Sequence, residues 1–401
     1  MSRIDELIRE FCPNGVRHME LGAVTYENRE RNADNNYSEV RSVTNSGGLV
    51  RTSDFFENAR TSADTRNYKV VRPGMFAYNP SRINVGSIGW LDEAAPVVVS
   101  PMYVVFGVDS ARIMPEYLQL YFSSGVGRRR IEGKTEVGAR FRLTYQSLAT
   151  IQLPVPPLDV QREIVKVINK FTELEAELGA ELEARRRQYQ YYRDTLLAFE
   201  GQDVRWTTMA EVGEFFRGRR FTKNDLNADG LACIHYGDIY TQYGTATTAT
   251  VSHVRSDMAS TLRFAKHGDL VVAGVGETVE DVGKAVAWLG DGEVAIHDDC
   301  FAFRHSLNPK FVSYYFQTAA FHAEKNKFVA RAKVKRLSAE NLGKLAIPVP
   351  PPDEQERIVI ILDKFDALVN DISGGLPAEI AARRKQYEHY RDRLLTFREA
   401  A

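Results

Sequence analysis

Two clusters of cations are the side chains in this chain best suited to chemistry. The window from Lys325 to Arg336 holds Lys325, Lys327, Arg331, Lys333, Lys335 and Arg336 without one acid. At the matching place in the first half, Arg128, Arg129, Arg130, Lys134, Arg140 and Arg142 are interrupted only by Glu132 and Glu136. GRRFTKND adds Arg219, Arg220 and Lys223, and YNPSR adds Asn79 and Arg82 as weaker candidates. Such groups neutralise phosphates, and Arg and Asn can also pair with base edges. A single cluster is as easily a solvated face. Recurrence at matching positions favours a binding role for the two windows. The triples Arg185–Arg187 and Arg383–Lys385, on helix-like sequence, read instead as solvated helix faces.

Other motifs do not complete themselves. Gly133-Lys134-Thr135 resembles the end of a phosphate loop, but the pattern requires glycine where Arg128 stands. Gly274-Val275-Gly276 lacks the third glycine of a dinucleotide fingerprint, since position 279 is Val279. Asn79-Pro80 continues as Ser81-Arg82, without the aromatic residue that would stack on a flipped base. His297, Asp298 and Asp299 have no second cluster at ligand spacing, so a turn or polar pocket is the better reading than a metal site. Cys12, Cys233 and Cys300 form no CxxC pair, which argues against both a disulfide framework and a zinc site. The chain reads as non-catalytic.

The elements that must position these residues are announced by a repeat. LPVPPLDVQREIV (Leu153–Val165) returns 194 residues later as IPVPPPDEQERIV (Ile347–Val359). RRRQYQYYRDTLLAF (Arg185–Phe199) returns as RRKQYEHYRDRLLTF (Arg383–Phe397), but 198 residues later. Before each proline pair lie short alternating runs and Gly- and Asn-rich turns, then the helix-like YLQLYFSS (Tyr117–Ser124) or FVSYYFQT (Phe311–Thr318). After it the period turns helical. Ile164, Phe171, Leu178, Leu182, Tyr189 and Leu196 mark a seam in the first block, with Leu174 and Tyr192 also on it; Phe365, Leu368, Ile380, Tyr387 and Leu394 mark it in the second, with Ile372 and Tyr390. Three Glu-rich tetrads (Glu173–Ala184) support one helix of roughly 40 residues, about 60 Å long. The second block has Gly374, Gly375 and Pro377 at that place, which predicts a kink or break near 374–377. Asp353 and Glu356 fit a capping box. Asp5–Ile8 echoes Asp194–Leu197 and Asp392–Leu395, which implies a cyclic arrangement with the chain ends close together.

The resulting expectation is an α+β protein with a pseudo-twofold internal repeat. Two mixed α/β domains (1–156 and 201–350) are separated by two long antiparallel helices forming a coiled coil (157–200 and 351–399). The 44% hydrophobic and 26% charged content is that of a globular chain, with no membrane-length apolar run and no signal core, so a cytoplasmic location is expected. A net charge of −1 is not the profile of a basic DNA-binding domain, yet a neutral total can hide two basic patches.

The module, PxPP-helix, module, PxPP-helix order strongly resembles the specificity (S) subunit of type I restriction-modification systems, over essentially the whole length. The two proline-to-helix junctions, the RR[RK]QY…YRD endings and the tetrads carry the resemblance. It implies two target recognition domains, each reading one half of a split asymmetric site in double-stranded DNA. It also implies two methyltransferase subunits bound through the helices and restriction subunits that can join them. No cofactor is then expected on this chain, with AdoMet and ATP on the partners. The resemblance further implies that tetrad number influences the spacing between half-sites. A tetrad adds about 6 Å of helix, at most about two base pairs of reach. An enzyme with its own methyltransferase or nuclease activity, and a coiled-coil scaffold without DNA contact, are the alternatives from other classes.

Overall fold

A computed structural model describes residues 3–44, 48–52, 64–83, 88–136, 142–330, 333–371 and 373–400, with side chains from Glu6 onward. They form two compact units. Unit 1 takes Met1–Glu177 with Ala381–Ala401, and unit 2 takes Leu178–Ile380. The helices in chain order are α1 (Arg3–Phe11), α2 (Pro115–Ser123), α3 (Gly125–Lys134), α4 (Tyr145–Ala149), α5 (Leu158–Ala198), α6 (Met209–Val212), α7 (Tyr236–Thr241), α8 (Pro309–Tyr315), α9 (Ala319–Lys325), α10 (Ala339–Gly343), α11 (Pro352–Asn370) and α12 (Leu376–Leu394).

Unit 1 is built on a four-stranded antiparallel sheet in the order Thr25–Asn28, Val104–Val108, Phe76–Tyr78, Gly89–Trp90. FAY and VVF are apolar without alternation because both faces of these strands are covered, and Phe76, Tyr78 and Phe106 are fully buried. Phe76 and Phe106 stack with centroids 5.1 Å apart. The two ends of the chain meet in this unit, as the echo of Asp5–Ile8 predicts. Val16 N donates to Arg398 O at 2.8 Å, and Ala400 N donates to Val16 O at 3.1 Å. Gly15 allows this approach: its φ is +105°, and a Cβ there would lie 2.8 Å from Arg398 O.

Unit 2 has a five-stranded sheet in the order Gly213–Arg217, Cys300–His305, Leu270–Ala273, Ala285–Trp288, Ala246–Thr247, antiparallel except for the last pair. A second sheet of four strands orders Ser252–Val254, Leu226–Ile234, Val294–Ile296, Phe264–Ala265. The sequence repeat is kept at the level of single hydrogen bonds. Gln161, fully buried, accepts from Met114 N at 2.9 Å and donates to Pro156 O at 2.7 Å. Gln355, 194 residues on, accepts from Asn308 N at 2.8 Å and donates to Pro350 O at 2.9 Å. The glutamine after each proline pair thus ties the start of a long helix to the residue that caps α2 or α8.

The first long helix, α5, is continuous over 41 residues. Its first part belongs to unit 1, where Phe171 stacks on Tyr390 at 5.4 Å and Glu175 pairs with Arg384 at 2.5 Å. The partners step backward along α12 as α5 advances, so the two run antiparallel there. In unit 2 the equivalent stack is Tyr192 on Phe365 at 5.3 Å, beside Tyr189. The second block is two helices, ending at Asn370 and restarting at Leu376. A Cβ on Gly375 would lie 2.5 Å from Ala367 O, so the turn admits glycine only.

Three expectations are corrected here. The capping box does not form: α11 has Pro351 at its cap and Pro352 as its first residue, and Glu356 instead accepts from Asn308 Nδ2 at 2.9 Å. Leu368 is 38% exposed while Val369 is fully buried, so the seam passes one residue later, and Leu174 is 46% exposed. At the helix ends Leu197 and Leu395 are the buried members, with Leu196 and Leu394 only half-buried beside them. Ile164, Leu182 and Tyr189 are buried; Phe171, Leu178, Phe365, Ile380 and Tyr387 are half-buried; Tyr192 and Tyr390 are 39% and 40% exposed behind their stacking faces. Ile372 lies outside the described residues.

Candidate nucleic-acid interface

In unit 1 the basic window is carried by a tight helical corner. Tyr117 and Tyr121 anchor α2 by donating to Pro154 O and Gln152 O, each at 3.1 Å. Ser124 then caps α3 by accepting from Gly127 N at 3.0 Å. A Cβ at position 127 would fall 2.0 Å from Tyr121 O, so the corner requires Gly127. Arg128, Arg129, Arg130 and Lys134 project from α3 into solvent. Beyond it Glu136 and Arg142 form a β-bridge, with Arg142 exposed. Arg140 lies outside the described residues. The segment YNPSR is brought beside this bridge, because Leu143 N donates to Pro80 O at 3.0 Å. Arg82 is exposed there, whereas Asn79 spends its Oδ1 on the Ser81 amide at 3.0 Å and acts as a turn-former. Gly133-Lys134-Thr135 is the end of α3, not a strand-to-helix phosphate loop.

Unit 2 repeats the construction with different side chains. Tyr315 donates to Ala346 O at 2.9 Å, and Thr318 caps α9 through Phe321 N at 3.2 Å. Ala330 and Arg336 form the closing bridge, and Leu337 N donates to Gly274 O at 3.0 Å. Gly274-Val275-Gly276, incomplete as a dinucleotide motif, is therefore the counterpart of Pro80-Ser81-Arg82, 194 residues on. Gly274 N donates to Asp299 O at 2.8 Å, and Arg219 N donates to Ile296 O at 3.0 Å. These links string the 219–223 cluster and the Ala330–Arg336 bridge along one series of adjacent segments. Arg219, Arg220, Lys223, Lys327 and Lys333 are exposed; Arg331 lies outside the described residues.

Lys325 is the clear correction. It is fully buried and points inward, where Nζ donates to Val279 O at 2.8 Å, to Glu280 O at 3.4 Å and to Val282 O. Burial pushes its pKa down to about 8, so the ammonium form prevails at neutral pH. The helical phase of α9 turns this one cation of the window into the core, and it holds the 279–283 turn rather than a phosphate. Its counterpart in unit 1 is Ile131.

The other window cations differ from those of the long helices. Arg128, Arg129, Lys134, Arg142, Arg219, Arg220, Lys223, Lys327 and Lys333 make no ion pair among the described residues. Arg185 and Arg186 pair with Glu181 and Glu183 of their own helix, and Arg384 with Glu175. In the helix triples Arg185, Arg186 and Arg384 are thus neutralised by nearby glutamates, while the window cations named above are not.

One group was missed from the sequence. Phe221, His235 and Tyr236 cluster around His297, with ring centroids 4.8 Å (Phe221–His297), 4.7 Å (His235–His297) and 4.3 Å (His235–Tyr236) apart. Phe221, between Arg220 and Lys223, brings the cluster beside those cations. Both nitrogens of His297 face backbone: Nε2 donates to Phe221 O at 2.9 Å, and Nδ1 accepts from Asp299 N at 3.1 Å. Asp298 Oδ1 also lies 3.3 Å from Nε2, and His297, Asp298 and Asp299 place their ligand atoms within 4.8 Å of one another. Burial, and then the neighbouring His297, push the His235 pKa down. The local signal in the sequence was confined to Phe221 between Arg220 and Lys223, with no cation or ring from Asn224 to Ile234.

Residues 24–184 and 203–382 each match the type I restriction modification DNA specificity domain, so most of the chain is covered by two copies. The chain belongs to the family of type I restriction-modification specificity subunits. The EcoR124I/EcoR124II specificity subunit of Escherichia coli is 29% identical over 316 residues, covering 77% of each chain. A putative type I restriction enzyme specificity subunit of Haemophilus influenzae is 33% identical over 277 residues, 64% of this chain and 67% of the relative. A chain from a structure of type I R-M complex assembly and conformational transition has a TM-score of 0.66 at 18% identity, covering 96% of this chain and 98% of its own. The HsdS subunit from Thermoanaerobacter tengcongensis has a TM-score of 0.54 at 18% identity, covering 96% and 97%. These two likenesses are of fold, and they bear out the α+β expectation. Among the described residues no helix is long and apolar enough to cross a membrane.

Proposed function

We propose that this chain is the DNA-reading subunit of a type I restriction-modification complex, each unit recognising one half of a bipartite asymmetric site in double-stranded DNA. One observation carries the reading. The same corner, closing bridge and 80/274 segment recur in both units beside exposed cations without an ion pair among the described residues (Arg128, Arg129, Lys134 and Arg142 in unit 1, Lys327 and Lys333 in unit 2), while the side chains around them differ. A common frame with different readers suits an asymmetric site. Window cations would contact phosphates and set register, and neighbouring polar and aromatic groups would read bases. The long helices would carry two methyltransferase subunits, with restriction subunits joining them. AdoMet and ATP chemistry would reside on those partners, and this chain would have no catalytic role.

The test is methylation mapping of DNA modified by the complex. A split motif with two unlike halves is expected, and Lys327→Ala with Lys333→Ala should weaken modification through one half only. Both halves changing together would refute the modular assignment. Methyl transfer by the isolated chain would favour the enzyme alternative. Absence of salt-dependent DNA binding by the assembled complex would favour the scaffold.

A further inference from the structure

The repeated YRD triplet is not used by the function proposed above, and both copies make the same contact. In unit 1 the cap residue Ser124 serves the Gly127 amide. The amide of Gly125, first residue of α3, is one of the donors that a helix leaves unpaired. Asp392 of α12 supplies its acceptor, with carboxylate oxygens 3.1 and 3.3 Å from Gly125 N. A carboxylate is also favoured there by the helix dipole. In unit 2, Thr318 serves Phe321 N, and Asp194 of α5 lies 3.4 Å from Ala319 N.

Each aspartate is held by the arginine before it. Arg391 donates Nε and Nη2 to Asp392 at 3.1 Å each and lies 5.4 Å over the Tyr387 ring. Arg193 donates to Asp194 at 3.0 and 2.9 Å and lies 5.7 Å over Tyr189. The two amides are 194 residues apart in sequence and the two carboxylates 198, so the contact persists across the added tetrad. A Cβ on Gly125 would lie 2.7 Å from Asp392 Oδ2, which fits glycine at the closer contact and Ala319 at the looser one.

We infer that Asp392 and Asp194, each backed by its Arg and Tyr, are positioning residues that lock the helix leading into one basic window onto a long helix. The consequence for half-site fidelity rests on the DNA-recognition reading above. The helix contact itself does not.

The experiment uses the full chain assembled with its methyltransferase partners, as wild type, Asp392→Ala, Asp392→Asn and Asp194→Ala. Methylation is measured on the mapped site and on singly mismatched half-sites, and hydrogen exchange is followed at the first amides of α3 and α9. Asp392→Ala should speed exchange at the start of α3 by roughly fivefold, the factor equivalent to about 1 kcal/mol for a lost cap. It should reduce discrimination at one half-site by a similar factor and spare the other. Asp194→Ala should do the converse. Asp392→Asn keeps a carbonyl acceptor and should recover most of both effects, which general damage to the fold would not allow. Unchanged α3 exchange in Asp392→Ala overturns the inference, as does an equal effect on both half-sites. A wild-type complex without sequence preference would sink the recognition reading instead, and the exchange measurement would still judge the contact.

Discussion

Replacing Lys325 by methionine removes the ammonium and keeps most of the stem. Three carbonyls lose their donor: Val279 O, Glu280 O and Val282 O. A buried carbonyl left unpaired costs about 1–3 kcal/mol. Val282 is fully buried and takes that cost, while Val279 and Glu280 are open enough for water to replace part of theirs. Methionine also relieves the cost of burying a charge. The balance is a loss of about 2 kcal/mol for unit 2. For a unit of this size that corresponds to a fall in its Tm of about 4–8 °C. Scanning calorimetry of the full chain measures it, with Lys327→Met as the control. Lys327 is exposed, so its replacement should leave stability within about 0.5 kcal/mol and lower the slope of log affinity against log salt by about 1. If Lys325→Met left the melting unchanged and lowered that slope, Lys325 would be a phosphate contact and the burial argument would be wrong.

Other expectations rest on single contacts. Phe365→Ala should cost about 1 kcal/mol more than Phe171→Ala in denaturant unfolding, because Phe365 stacks on both Tyr189 and Tyr192 whereas Phe171 stacks on Tyr390 alone; equal losses would contradict the asymmetry. Gln161→Ala removes buried bonds to Met114 N, Arg112 O and Pro156 O and should cost about 2–4 kcal/mol in unit 1, read by the same unfolding curves. Burial pushes the pKa of His305 and of His322 down to about 4. Both stay neutral in the folded unit while the unfolded chain takes up protons near pH 6.5. Their contribution is present above that pH and is lost as pH falls from 6.5 toward 4, up to about 3 kcal/mol for His305. A flat stability profile from pH 7 to 4.5 would speak against it.

Local features were legible wherever the residues themselves carried the cause. The Glu-rich tetrads made α5 one helix, and Gly374-Gly375-Pro377 separated α11 from α12. The capping box failed because Pro352 shifted the helix start relative to Asp353 and Glu356. Leu368 failed because its apolar character suited either side of a seam, and packing chose Val369. In the candidate interface, charge and recurrence suggested the windows, but nothing in a run of lysines marks the one that faces inward.

By itself the sequence determined that the chain is duplicated, that long helices alternate with mixed modules, and which cations could meet a polyanion. Those properties follow from periodicity, propensity and charge over short windows. Tertiary structure decided that Lys325 is a clamp, that Pro80 and Gly274 pair with Leu143 and Leu337 beside the two bridges, and that Asp392 reaches the amide of Gly125. Each depends on a partner between 43 and 267 residues away. Hydrogen-bond donors and acceptors of that separation are matched by packing, and no local pattern records which pairs the fold will bring within 3 Å.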